Sequence, residues 1–151
     1  MTASQRLAEL GIELPPVAAA AGSYLPTART GNLVFTAGQL PFVGGRLPAT
    51  GRVGAEVSPE DAKDYARRAA LNVLAALDAE VGIDNIERIV KVVGFVASAE
   101  GFTGQPGVIN GASDLFAEVF GEAGRHARSA VGVAELPLGA PVEIEAIAQV
   151  S

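Results

Sequence analysis

The chain has 151 residues, a formal net charge of −6 at pH 7 and 49% hydrophobic residues. This length suggests one domain with a substantial core, and the hydrophobic content excludes a chain that is disordered throughout. The acidic balance argues against a nucleic-acid partner held by bulk electrostatics, and the absence of cysteine excludes disulfides, thiolate nucleophiles and thiolate zinc sites.

The first predicted elements are a short amphipathic helix over residues 3–10, ended by Gly11, and a strand over residues 33–38. Gly44 and Gly45 predict a hairpin turn after that strand. The N-terminus lacks a basic start and a long apolar run, so we expect no signal peptide and no membrane segment. The expected location is the cytoplasm.

Two longer helices are predicted next. The segment 58–61 supplies an N-cap serine, a proline at the first helical position and two acids in the first turn. Alanines then recur with helical spacing as far as Gly82. A second helix is predicted over residues 110–120, before Gly121.

Three further strands are predicted over residues 86–96, 128–134 and 142–150. Strands and helices in this order predict an α+β domain with two helices packed on one face of a sheet. Two helices cannot cover both faces, so we infer that another subunit covers the second face and that the protein is an oligomer.

Arg128 and Glu143 are charged residues within mostly apolar, strand-forming runs. A charge in such surroundings needs a partner, and for Arg128 this is either a structural carboxylate or the carboxylate of a substrate. If the last two strands formed a simple hairpin, Arg128 would lie about 20 Å from Glu143. The two side chains could not share a ligand in that hairpin.

Several other polar positions leave alternatives open. Glu143 and Glu145 share one strand face and could serve acid–base chemistry, but we favour a solvated edge. The single histidine, His126, either helps to hold an anion or caps the preceding helix, and we favour the cap because a helix C-terminus favours a cation. Gly38 fits a turn and close approach of a ligand equally well, and Tyr24, in a loop, favours packing over chemistry.

Taken in order, six segments resemble the RidA/YjgF family, also called the L-PSP endoribonuclease family. The resemblance covers about residues 22–151, so residues 1–21 form an N-terminal extension of a single domain over residues 1–151. The lead-in at residues 121–126 is similar to a less characterised branch. The six segments are residues 36–41, the helix starting at Ser58, Phe95-Val96, Ala127-Arg128-Ser129, Leu136-Pro137 and residues 142–148.

The resemblance implies a chorismate-mutase-like mixed sheet that forms homotrimers, with ligand clefts between subunits. It implies hydrolysis of small reactive 2-imino acids, such as 2-aminoacrylate and 2-iminobutyrate, to 2-keto acids and ammonia. The substrate is then a small carboxylate, and no metal or cofactor is needed because a protonated imine is already electrophilic. Two alternatives stay open: a module that binds a carboxylate metabolite without turnover, and a ribonuclease or translation inhibitor, as the older name implies.

The resemblance also assigns residues. It maps the carboxylate-binding arginine onto Arg128, the water-orienting glutamate onto Glu143, a cleft tyrosine onto Tyr24 and the backbone glycine of the ligand loop onto Gly38. Because the family's clefts draw on two chains, we predict that the site exists only in the oligomer.

Two further positions of the expected cleft are less direct. Ala37 stands where the best-known deaminases carry a hydroxyl residue just before the glycine. On the second helix, the expected polar contact is Ser113 by alignment of the helix and Asn110 by residue type.

Overall fold

A computed structural model of residues 1–151 contains a five-stranded mixed sheet with two long helices against one face, the α+β architecture that the sequence predicts. The order of the strands across the sheet is β1-β2-β5-β3-β4. Only β3 and β4 pair in parallel, and the other neighbours are antiparallel. The strands are β1 (Thr27–Thr30), β2 (Leu33–Thr36), β3 (Ile86–Ala97), β4 (Ala127–Val133) and β5 (Val142–Val150).

The three α-helices are α1 (Ala3–Glu9), α2 (Pro59–Val81) and α3 (Gln105–Phe120). The N-cap of α2 is the predicted one, because the Ser58 hydroxyl accepts a hydrogen bond from the Asp61 N–H. Helix α3 starts at Gln105, earlier than residue 110, because a proline is tolerated in the first helical turn. Short 3₁₀ turns follow at residues 83–85, 121–124 and 137–139.

The core lies between the helices and one face of the sheet. Alternate residues of β5 are buried, as a strand with one covered face requires. Helix α2 contributes fully buried alanines to this core, and their small side chains permit a close approach of neighbouring elements; these are Ala62, Ala66, Ala69 and Ala70. None of the helices combines the length and apolar character that crossing a membrane requires.

The opposite face of the sheet has no helix against it. Phe35 and Val131 on this open face are 40% and 42% exposed, and Phe95 and Ile147 are half-buried beside them. Apolar side chains grouped on an uncovered face are typical of a surface that meets another protein chain. The covering subunit stays a prediction, and this face is where it would bind.

The hairpin considered from the sequence does not form. Strand β3 lies between β4 and β5 and pairs with both of them. The last two strands are therefore separated in the sheet.

We predict opposite effects for two alanine substitutions in α3. A Cβ atom at Gly111 would collide with the backbone carbonyl of Lys63 on α2, so Gly111→Ala forces the helices apart. We expect a loss of about 3 kcal/mol in the free energy of unfolding, measured by urea denaturation at fixed protein concentration. Gly107→Ala is the matched control, since open space surrounds that position and alanine should add about 0.5 kcal/mol there. Equal effects of the two changes would contradict this packing.

Candidate functional site

Arg128 lies on the helix-covered side of the sheet. It pairs with Val92 of β3, a core residue, and paired residues in neighbouring strands point to the same face. Helix α3 packs on that face and supplies two oxygen atoms. The Arg128 Nη1 donates to Asn110 Oδ1 at 2.7 Å and to Ser113 Oγ at 3.2 Å. The two candidate polar residues of α3 therefore both contact the same guanidinium group.

No carboxylate of the chain pairs with Arg128. Each of the four ion pairs joins other residues, so the structural partner considered from the sequence is not found. Both hydrogen bonds use Nη1 and both acceptors are neutral. Nη2 and Nε have no hydrogen-bond partner within the chain, and a carboxylate is the group that two parallel N–H donors bind best.

Glu143 lies on the other, open face of the sheet. It pairs with Phe95 of β3, three residues from Val92, and an odd separation along a strand reverses the face. Its carboxylate lies directly over Gly38, where a Cβ atom would come within 2.7 Å of Glu143 Oε2.

The Glu143 side chain thus requires a glycine at position 38, because it leaves no room for a Cβ atom there. Gly38 is absent from the glycines with positive φ, so a turn conformation does not demand it. The space that it leaves is occupied by the carboxylate of Glu143. Both interpretations of Gly38 from the sequence missed this, because they considered only its own turn and an external ligand.

A pocket of about 360 Å³ opens beside Glu143 and Gly38. Its walls are mostly apolar and include residues 18–21 and Leu138, which has a φ of 60°. A leucine in this left-handed region stores about 1–2 kcal/mol of strain, and such strain concentrates at functional sites. No sequence pattern pointed to residues 18–21, because a run of alanines carries no motif.

The environment of Glu143 changes its proton affinity. Burial raises the pKa of Glu143 above its ordinary value, and the charge of Glu145 on the same strand face raises it further. A carboxyl group of this kind both takes up and returns a proton more readily near neutral pH. The solvated edge favoured for these two acids is wrong, since β5 is in the interior of the sheet.

Tyr24 lines the Glu143 pocket, and Ala37 lies in the groove beside it. The Tyr24 side chain is 49% exposed and lines the pocket, and its hydroxyl accepts a hydrogen bond from the Ala21 N–H at 3.0 Å. Ala37 lines the adjoining groove with Tyr24 and donates its N–H to the Pro26 carbonyl at 2.8 Å. The hydroxyl of the neighbouring Thr36 is committed to the Ala146 N–H, so it does not replace the one absent at Ala37.

His126 is connected to Arg128 through the hydroxyl of Ser113. Its Nδ1 is 2.7 Å from the Gly124 carbonyl and its Nε2 is 2.9 Å from Ser113 Oγ. Burial lowers the pKa of His126, although the Gly124 contact raises it, and the charge of Arg128 also lowers it. The favoured structural contact with a carbonyl after the helix is present, but the reason was wrong, because these surroundings favour a neutral imidazole over a cation.

The candidate site is therefore divided between the two faces of the sheet. Arg128, Asn110 and Ser113 lie on the helix side, and Glu143 and Gly38 lie on the open side. One small ligand cannot contact both groups of the same chain. No cluster of His, Asp and Glu side chains that could hold a metal ion occurs in the structure.

Comparison with known proteins identifies related chains. Residues 4–149 match a family described as "YjgF/chorismate mutase-like, putative endoribonuclease". Protein TCP17 of Trypanosoma cruzi is 45% identical, over 96% of this chain and 92% of that one. The crystal structure of Atu1372 from Agrobacterium tumefaciens, a protein of unknown function, is also 45% identical, with a TM-score of 0.91 over 99% of this chain and 92% of that one.

A third relative carries a functional name. The "putative reactive intermediate deaminase TdcF" of Escherichia coli is 34% identical, over 91% of this chain and 94% of that one. A crystal structure of Escherichia coli TdcF with bound serine covers 91% of this chain and 93% of that one, with a TM-score of 0.63 and 30% identity.

We predict that Glu143→Gln stabilises the protein at neutral pH. Because the pKa of Glu143 is raised on folding, the carboxyl favours the folded state at low pH, and this contribution is lost as the pH rises through the folded pKa. Glutamine stays neutral, so the variant should gain up to about 1 kcal/mol at pH 7, since water screens a half-exposed group. Thermal unfolding at pH 7 and below about pH 4 measures this gain, which should vanish at the lower pH.

The exposed Glu13 provides the control for this measurement. Glu13→Gln removes the same charge without relieving any burial, so its unfolding temperature should stay at the wild-type value. A gain for Glu143→Gln that persists unchanged at low pH would show that burial of the carboxylate is not its cause.

Proposed function

The chain belongs to the RidA/YjgF (YjgF/chorismate-mutase-like) family, and on that premise we propose that it hydrolyses small reactive 2-imino acids to 2-keto acids and ammonia. The observation that carries the proposal is the state of Arg128. Two neutral acceptors hold its guanidinium at one nitrogen, and its other two nitrogens have no carboxylate partner in the chain. The name of the relative TdcF, a reactive intermediate deaminase, supports the same reaction class.

Arg128 would bind the carboxylate of the substrate. A guanidinium holds a carboxylate through two parallel, charge-assisted hydrogen bonds and fixes its plane as well as its position. Asn110 and Ser113 orient the guanidinium for this contact. The imine carbon next to that carboxylate is then held at a defined place.

Glu143 would activate water. In the reaction, water adds its oxygen to C2 of the protonated imine and gives one proton to the Glu143 carboxylate. The carboxyl returns that proton to the nitrogen of the carbinolamine. As the C–N bond breaks, the Glu143 carboxylate takes the hydroxyl proton and passes it to the departing ammonia, so ammonium and the 2-keto acid leave and the carboxylate is restored. The raised pKa of Glu143 suits these transfers, and an enamine such as 2-aminoacrylate enters as its imine tautomer.

Two chains would build each site. Since Arg128 and Glu143 lie on opposite faces of one sheet, a ligand that contacts both needs an arginine from one chain and a glutamate from its neighbour. The open face around Phe35 and Val131 offers the apolar surface for that contact. A homotrimer, in which three such clefts form between subunits, is the assembly that we propose.

A second candidate is binding without turnover. Ala37 brings no hydroxyl to the groove beside the pocket, and the Thr36 hydroxyl is already engaged. A carboxylate metabolite held by Arg128 would then stabilise the assembly and undergo no reaction. The name endoribonuclease, which the family carries, is less suited to a chain with a net charge of −6.

We predict that Arg128→Ala removes the activity. Release of 2-oxobutanoate from freshly generated 2-iminobutyrate should fall about 100-fold or more in kcat/KM, because a charge-assisted bidentate contact is lost. The exposed Arg46 is the charge-matched control, and Arg46→Ala should stay within about twofold of the wild-type kcat/KM. Wild-type turnover in the Arg128 variant would exclude this mechanism, and stabilisation by 2-oxobutanoate without any imine hydrolysis would favour the binding module.

We further predict that two inactive variants complement each other. Arg128→Ala and Glu143→Gln chains are refolded together in equal amounts. In each cleft, the chain that supplies residue 128 has an intact Arg128 with a probability of one half, and the chain that supplies residue 143 has an intact Glu143 with the same probability. About one quarter of the wild-type activity should therefore return, since each cleft takes one residue from each of two chains. Each variant refolded alone should stay inactive, and a mixture without activity would place the site within one chain.

A further inference from the structure

His126 is the only histidine of the chain, and it ends a row of hydrogen bonds that starts at Arg128. Arg128 Nη1 contacts Ser113 Oγ at 3.2 Å, Ser113 Oγ contacts His126 Nε2 at 2.9 Å, and His126 Nδ1 contacts the Gly124 carbonyl at 2.7 Å. The mechanism proposed above uses Arg128 and leaves this imidazole without a role.

The chemistry of the end groups sets the direction of every hydrogen bond in this row. The Gly124 carbonyl only accepts, so Nδ1 carries the hydrogen, and in a neutral imidazole Nε2 must then accept. The Ser113 hydroxyl therefore donates to His126. Its lone pairs are left for Arg128, which only donates.

The surroundings hold the imidazole in place and neutral. The edge of the Phe116 ring meets the His126 ring with centroids 5.7 Å apart and planes at 86°. The charged groups that line the same groove are Asp114 on α3, and Arg125 and Arg128 on either side of His126 in sequence. Burial and the charge of Arg128 keep the pKa of His126 low.

We propose that His126 is a positioning residue for Arg128: acting through Ser113, it fixes the hydroxyl as an acceptor, so that the outer edge of the guanidinium faces the ligand carboxylate. This inference rests on the proposed function in one respect, the binding of a carboxylate by Arg128. It goes beyond the proposed reaction by giving His126 a role and by specifying which of its ring nitrogens carries the hydrogen.

The proton arrangement has a consequence for ligand binding. A protonated His126 would donate to Ser113 from Nε2, so two donors would converge on one oxygen and a second positive charge would lie beside the guanidinium. The contact that holds Arg128 would then be lost, so the positioning of the guanidinium depends on the neutral imidazole.

The single histidine makes a direct test possible. In uniformly ¹⁵N-labelled protein, long-range ¹H–¹⁵N correlation spectra report one imidazole. We expect the neutral tautomer with hydrogen on Nδ1, both in the protein alone and when 2-oxobutanoate is added. Hydrogen on Nε2 in the neutral form would overturn the proposal without reference to any ligand.

Variants test whether the effect passes through Ser113. His126→Phe keeps a ring against Phe116 and removes both hydrogen bonds, so the Kd for 2-oxobutanoate and the KM for 2-iminobutyrate should rise about five- to tenfold, with kcat within about twofold. His126→Gln keeps an acceptor for Ser113 and should restore most of the affinity. In a Ser113→Ala background, His126→Phe should change the Kd no further.

The outcomes separate this proposal from the proposed function. If no imine is hydrolysed but the Kd values of the His126 and Ser113 variants change as expected, the proposed deaminase activity is wrong and the positioning role of His126 is supported. If imine hydrolysis proceeds but His126→Phe leaves the Kd unchanged, or acts equally strongly without Ser113, the positioning role is wrong. Failure of the wild-type protein to bind 2-oxobutanoate would also overturn it. Thermal unfolding of each variant identifies any loss of folded protein.

Discussion

Arg128 donates from one nitrogen to two neutral oxygens, those of Asn110 and Ser113. Neutral acceptors orient a guanidinium without cancelling its charge, so this contact costs the protein the stabilisation of an ion pair and preserves affinity for an external anion. A carboxylate in place of Asn110 would have paired with the arginine permanently. Gly111 lets α3 pack closely against α2. The position of α3 in turn sets where the oxygens of Asn110 and Ser113 lie.

Glu143 follows the opposite strategy. Its carboxylate is partly withdrawn from water, lies over Gly38 and has a second acid on the same strand face. Burial and the charge of Glu145 both disfavour the ionised form, and together they raise the pKa of Glu143. Glu143 thus lowers the stability of the folded protein, at the position where the proposed mechanism requires proton transfer. The strained backbone at Leu138, in the wall of the same pocket, is a second departure from the most stable arrangement.

The alternation of side chains along a strand places these two groups on opposite faces of the sheet. In the proposed mechanism, a single chain therefore presents an anion-binding half-site on its helix side and a proton-transfer half-site on its open side. Assembly becomes a condition of the proposed activity, because only a neighbouring chain can bring the second half to the first. The apolar side chains of the open face give that assembly a driving force independent of the ligand.

The sequence by itself determined the types of the elements other than β1, the start of α2 at its Ser58 cap, and the candidacy of Arg128 and Glu143, because caps, glycine stops and alternating hydrophobicity act over a few residues. It also supplied the family, since those segments occur in a recognisable order. Only the tertiary structure decided that Asn110 and Ser113 share one guanidinium, that Gly38 makes room for Glu143, and that residues 18–21 line the pocket. These contacts join residues far apart in the chain, and their geometry depends on the insertion of β3 between β4 and β5, which no local pattern encodes.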